Sequence, residues 1–137
     1  NLIDHESRLL VLDSSIGARD PIEFGVFGIL NPPMALTGVL TYRVSSPIVL
    51  TAARLLVVTA GSAGTLSIDI EYKRGADPWA SILTGAITAG FASGNYFLTS
   101  GVLAVTSLLA GDLLRLNING VQTTMADFLA YLENTAA

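Results

Sequence analysis

The clearest hydrophobic pattern in the chain runs from Gly64 to Arg74. Leu66, Ile68, Ile70 and Tyr72 alternate with Ser67, Asp69, Glu71 and Lys73. Side chains on a strand point to opposite faces with period two, so this run has one apolar and one charged face. A helix would scatter the four apolar residues around its axis. Glycine-bearing turns bound the run at 61–64 and 75–78, and the pattern predicts a half-buried antiparallel strand.

Other segments follow the same logic. Ile22 to Leu30 predicts a buried strand, with Gly25 and Gly28 marking a bulge or a close backbone approach. Asn31-Pro32-Pro33 ends it. Gly38 to Val44 predicts the next strand, Ile48 to Leu50 a short edge segment, and Ala52 to Thr59 a strand rich in β-branched residues. After Trp79 the signals shorten: 81–83, 86–88, 96–99 and 102–106 predict brief strands. Leu114, Leu116 and Ile118 alternate with Arg115, Asn117 and Asn119, and Asn119-Gly120 predicts a tight turn. Thr123 to Glu133 fits a final strand, with Phe128, Ala130 and Leu132 on one face, better than a short helix. Short strands with turns every 8 to 12 residues or so, and no sustained helical period, predict an all-β antiparallel sandwich of jelly-roll type.

Residues 1–21 stand apart as an extended N-terminal arm ahead of a sandwich domain at 22–137. Asp4, Glu6, Asp13 and Asp20 lie in it with Arg8 and Arg19, around one apolar patch, Leu9-Leu10-Val11-Leu12. A charged arm with one apolar patch suggests a segment that lies on a neighbouring chain. The arm has no basic start followed by a small-residue cleavage site, so no secretory signal is expected.

Composition changes the picture in one respect. Charged residues make up 13% and apolar residues 51% of the 137 residues, against about 25% charged in ordinary soluble domains. So little charge covers a free surface poorly, and the expectation is a homo-oligomer whose outside is hidden by other chains. A net charge of −4 argues against binding nucleic acid. Two stretches, 24–42 and 79–111, hold no charged residue. Glycines and Pro32-Pro33 break them up, so no membrane span is expected.

No chemistry emerges. There is no cysteine and one histidine, His5, without partners for a metal site or a catalytic triad. Asp69 and Glu71 share a strand face, about 7 Å apart at the α-carbons, but alternating charge is what a wet strand face ordinarily shows. The expectation is no enzyme, no cofactor and no metal. The candidate protein contacts are Leu9, Leu10, Val11, Leu12, Phe24, Phe27 and the single tryptophan, Trp79. Phe24 and Phe27 are taken as contact or packing residues, and Trp79 as a cap on the sandwich or an interface anchor.

The series VVTAGSAGTLSIDIEYKRGADPWASILTG and LLAGDLLRLNINGVQTTMADFLAYLE, within 57–133, resembles a β-sandwich module of tailed-bacteriophage structural proteins. The likeness rests on a glycine-bearing turn before a strand like 66–71, an Ala-Gly-Asp turn at 110–112, and a closing strand like 128–133. It implies a virion structural protein, commonly trimeric, that binds rather than catalyses. A capsid decoration or cement protein on the capsid surface is expected, with the major capsid protein or other virion proteins as partners. The alternative is a tail, baseplate or fibre component, with glycan held by Trp79 or by Phe91 and Tyr96.

Overall fold

In the computed structural model, residues 20–137 are described. They form two antiparallel five-stranded sheets. In chain order the strands are β1 Ile22–Leu30, β2 Leu36–Arg43, β3 Ile48–Thr59, β4 Thr65–Lys73, β5 Ala80–Ser81, β6 Ile87–Gly90, β7 Phe97–Gly101, β8 Ser107–Leu108, β9 Leu113–Gly120 and β10 Met125–Ala136. A single 3-10 turn, Phe91–Ser93, precedes β7.

The first sheet runs β1-β10-β3-β7, with β8 continuing β7 along β3. The second runs β2-β9-β4-β5, with β6 beside β5 along β4. The pairs β5/β6 and β7/β8 each serve as one interrupted edge strand. Counted so, the chain makes eight strands in two four-strand layers, the winding of a jelly roll.

The alternation in β4 does what its pattern predicts. Leu66, Ile68 and Ile70 are fully buried, while Ser67, Asp69 and Glu71 lie on the outer face. They pack with Leu114, Leu116 and Ile118 of β9 against Leu55, Val57, Phe128, Ala130 and Leu132 of the first sheet. The final segment is a strand, and its inward phase is the predicted Phe128, Ala130 and Leu132.

Three expectations are corrected. Residues 48–50 are no separate edge segment: they are the start of β3, which lies inside its sheet between β10 and β7. The register with β10 steps from Ala52–Glu133 to Leu50–Asn134, so Thr51 is an extra residue and the strand continues through a bulge. Residues 102–106 are not a strand. The N–H groups of Ala104 and Val105 both donate to the Ile82 carbonyl, at 2.7 and 3.1 Å, and Thr84 N–H donates to Val102 O at 2.9 Å. This segment therefore crosses to the other sheet and, with the Leu83–Leu103 bridge, knits the edge shut. Finally, Asn119-Gly120 makes no two-residue hairpin. Gly120 still pairs with Ser67, and β9 and β10 belong to different sheets, so 121–124 must span the layers.

Candidate interaction surfaces

The register places one row across the outer face of the first sheet: Gly25, Leu129, Leu56 and Leu98. Leu98 is 50% exposed, and Leu56 and Leu129 are partly so. Phe27, 78% exposed, lies against the glycine: a Cβ on Gly25 would sit 2.9 Å from the ring's Cζ. Gly25 is thus the room for that ring. Ile29, 75% exposed, follows on the same strand opposite Ala126. Between them the register of β1 slips at Gly28, whose φ of +99° suits glycine. Its N–H donates to Asp127 Oδ1 at 2.8 Å, so the one carboxylate near this patch is already engaged. The expectation of a bulge or close approach at Gly25 and Gly28 is met twice.

The next row down this face is different. Glu23, Tyr131, Arg54 and Ser100 lie across the strands. Arg54 Nε donates to Glu133 at 3.0 Å and its Nη1 to the Ser100 hydroxyl at 3.0 Å. The outer face is therefore divided, apolar toward one end of the sandwich and polar toward the other.

That division runs through the whole described molecule. Four connections meet at the apolar end, residues 31–35, 60–64, 91–96 and 121–124, and none contains a charged residue. Side-chain acceptors knit this end together: Asn31 Oδ1 accepts from Thr124 N–H, Asn95 Oδ1 from Ala60 N–H, and Gln122 Oε1 from Gly61 N–H. Leu36, Phe91 and Tyr96 are exposed here as well. The two charge-free stretches noted in the sequence both pass through this end. No helix among the described residues is long and apolar enough to cross a membrane.

The opposite end carries the buried charge. Asp112 is 1% exposed and accepts from Arg74 Nε and Nη2, at 3.0 and 2.8 Å, and from Leu109 N–H at 2.8 Å. The hydrogen bonds from Arg74 hold its carboxyl below the usual carboxylate range, against the opposing effect of burial.

The middle of the second sheet's outer face is polar and hydrogen-bonded within itself. Glu71 Oε1 accepts from Arg115 Nε and Asn117 Nδ2, both at 2.8 Å, and Asn117 Oδ1 accepts from Gly38 N–H. Asp69 Oδ1 accepts from the Ser81 hydroxyl at 2.6 Å. The two carboxylates thus answer to separate partners. Among the described residues no cluster of His, Asp or Glu could hold a metal ion.

The sequence-derived contact residues do not assemble into one site. Phe24 is 2% exposed and belongs to the core, so packing is its part and contact is not. Phe27 stands on the outer face of the first sheet. Trp79 is half-buried beside the second, with the Arg115 guanidinium 4.2 Å from its ring centroid. Trp79 precedes β5, which pairs with the C-terminal part of β4, whereas Phe91 meets the residue before β4. Trp79 and the pair Phe91 and Tyr96 therefore lie toward opposite ends and cannot form one sugar platform. Leu9 to Leu12 and His5 lie outside the described residues.

The apolar row also includes residues that alternation reasoning passed over: Leu56, Leu98 and Leu129. A signal existed for the first. Leu55-Leu56-Val57-Val58 is apolar in both phases, and a strand apolar in both phases has two faces suited to burial. No protein-family model matches this chain, and no curated protein matches its sequence.

Proposed function

We propose that this chain is a bacteriophage virion structural protein, most simply a decoration or cement protein that stabilises a capsid by contact. The observation that carries the reading is the divided surface. One end and half of one sheet face are apolar and free of unpaired charge, while the buried ion pair and most charged side chains sit elsewhere. Such a surface suits a subunit held among neighbours. The jelly-roll winding supports the reading because it is widely used in viral capsids. The likeness of 57–133 to phage modules supports it independently.

In this reading the protein works as a homo-oligomer, a trimer by the resemblance. Its stabilising effect is the burial of apolar area, about 25 cal/mol per Å², repeated over a symmetric shell. The arm, with Leu9 to Leu12, adds contacts to capsid chains. The test is location: immunogold labelling and mass spectrometry of purified particles should find the chain on the capsid. Absence from particles overturns the proposal. A chain lacking residues 1–20 should fold yet fail to bind shells, and normal decoration by it would refute the role given to the arm.

The second reading, a tail component holding glycan, rests on Trp79, whose ring lies against Arg115, itself bonded to Glu71 on the polar face of the second sheet. Arg115 already lies against the Trp79 ring, which leaves at most the other side of that ring for a sugar.

A further inference from the structure

The exposed apolar half of the first sheet lies in the upper part of the range, about 300–600 Å², of the largest patch a single subunit leaves to solvent, and such patches are often functional. Phe27, Ile29, Leu56, Val58, Leu98 and Leu129 together present on the order of 500 Å² of apolar surface. A standard interface covers about 800 Å² per partner, of which about 65%, again near 500 Å², is apolar in homodimers. The areas match.

The chemistry of the patch indicates what covers it. Asp127, its one acidic residue, is already hydrogen-bonded to Gly28 N–H. No cluster of charge on the patch calls for a partner of opposite sign. A surface without free charge meets its own copy without like-charge repulsion, whereas the described domain as a whole carries more acidic than basic residues. The patch spans all four strands of the sheet, from Phe27 and Ile29 on the edge strand β1 through Leu129 and Leu56 to Leu98 on the other edge, β7. Sheet faces pack on one another with interdigitated side chains about 10 Å apart.

We propose that a second copy of this chain packs on this half-face, with Phe27 and Leu98 as the outermost contacts of the row. This rests on the reading of the chain as a self-associating virion component, and it is tested separately from that reading. A face packed on its own copy is a two-fold contact, distinct from the three-fold contacts of the trimer that the resemblance implies. The measurement is the mass of the full chain in solution, by light scattering after size exclusion and by sedimentation across a dilution series. The expected wild-type mass is at least twice that of one chain at the upper concentrations.

Phe27→Asp and Leu98→Lys each change an exposed side chain, so the fold should survive, which circular dichroism and thermal melting check. Each should weaken self-association by about thirtyfold or more, the range of interface hot spots. Thr88→Asp, on the short strand β6 of the other sheet, is the control and should leave the mass unchanged. A wild-type chain that is monomeric at every concentration overturns the inference, whether the face is then open or covered by the chain's own arm. So does an oligomer that survives both substitutions. In neither case does the particle-labelling result change, so the two failures can be told apart.

Discussion

Replacing Gly61 by alanine tests how the apolar end is held together. A Cβ built there overlaps the Thr123 carbonyl oxygen, and it lies 2.9 Å from the Thr123 carbonyl carbon and 3.0 Å from Gln122 Cβ. The obstacle is mainly backbone, which cannot swing aside as a flexible side chain could. Connections 60–64 and 121–124 must therefore separate. Three hydrogen bonds hold them: Gly61 N–H to Gln122 Oε1 at 2.7 Å, Ser62 N–H to Thr123 O at 2.9 Å, and Thr123 N–H to Ala63 O at 2.8 Å.

Each such bond is worth about 0.5–1.5 kcal/mol net. Against their loss stands a gain of about 0.4–1 kcal/mol from the stiffer unfolded chain. The expected outcome is a destabilisation of about 2–3 kcal/mol, or roughly 6–15 °C in melting temperature for a domain of this size. Urea denaturation at fixed pH, with the slope checked for constancy, measures it. Gly85→Ala is the internal control, since no heavy atom lies within 4 Å of its Cβ position and no positive φ is involved. That variant should equal wild type or gain up to about 1 kcal/mol. If Gly61→Ala melts with the control, the packing of these two connections does not set the stability of this end.

Three further outcomes are expected. Asp112→Asn should cost about 1–3 kcal/mol at neutral pH, because Arg74 and Leu109 N–H lose a buried carboxylate. The folded carboxyl titrates below its unfolded value near 3.9, so its contribution is full above that pH and is lost as pH falls through the folded value. Urea midpoints of wild type and variant should therefore converge under strong acid. Arg54→Ala breaks a partly exposed pair and should leave the urea midpoint within error, as most surface ion pairs do. Trp79→Ala should lower stability by about 1–2 kcal/mol through lost packing and the Arg115 contact, with the solution mass unchanged. A change in mass would place Trp79 in the self-contact, and loss of glycan-array binding would favour the tail reading.

Much of the core was legible because half-buried strands print their faces on the sequence. Leu66, Ile68 and Ile70 in β4, and Phe128, Ala130 and Leu132 in β10, were placed correctly from alternation alone. What alternation could not give was pairing. Residues 48–50 and 52–59 looked like two elements because Thr51 breaks the phase, and only the register with β10 reveals a bulge inside one strand. Residues 102–106 have strand-forming composition, yet their N–H groups go to Ile82 across the sandwich. Asn119-Gly120 favours a tight turn locally, but the following strand belongs to the other layer, and tertiary pairing prevails over a dipeptide preference. The apolar outer row was harder still. Gly25, Leu56, Leu98 and Leu129 are far apart in sequence, and their alignment exists only in the register.

The division of charge follows from the same winding. With β5/β6 and β7/β8 each counted as one interrupted strand, every strand runs from one end of the sandwich to the other, and the chain turns back at each end in alternation. A charge-free stretch centred on a connection therefore places two strand halves and a loop at one end. Residues 24–42 are centred on connection 31–35, residues 55–68 on 60–64, and residues 116–126 on 121–124. Charges return where the chain reaches the opposite end, at Asp20 and Glu23, Arg43, Lys73 to Asp77, Asp112 and Glu133. The longest stretch, 78–111, departs from this rhythm because it also forms the edge where β5 to β8 knit the two sheets. Read along the chain, these stretches raise the question of a membrane span. Wound into a jelly roll, they turn back on themselves, and what the sequence shows as long charge-free runs becomes the connections of one end, half of one sheet face and the knitted edge of a small sandwich.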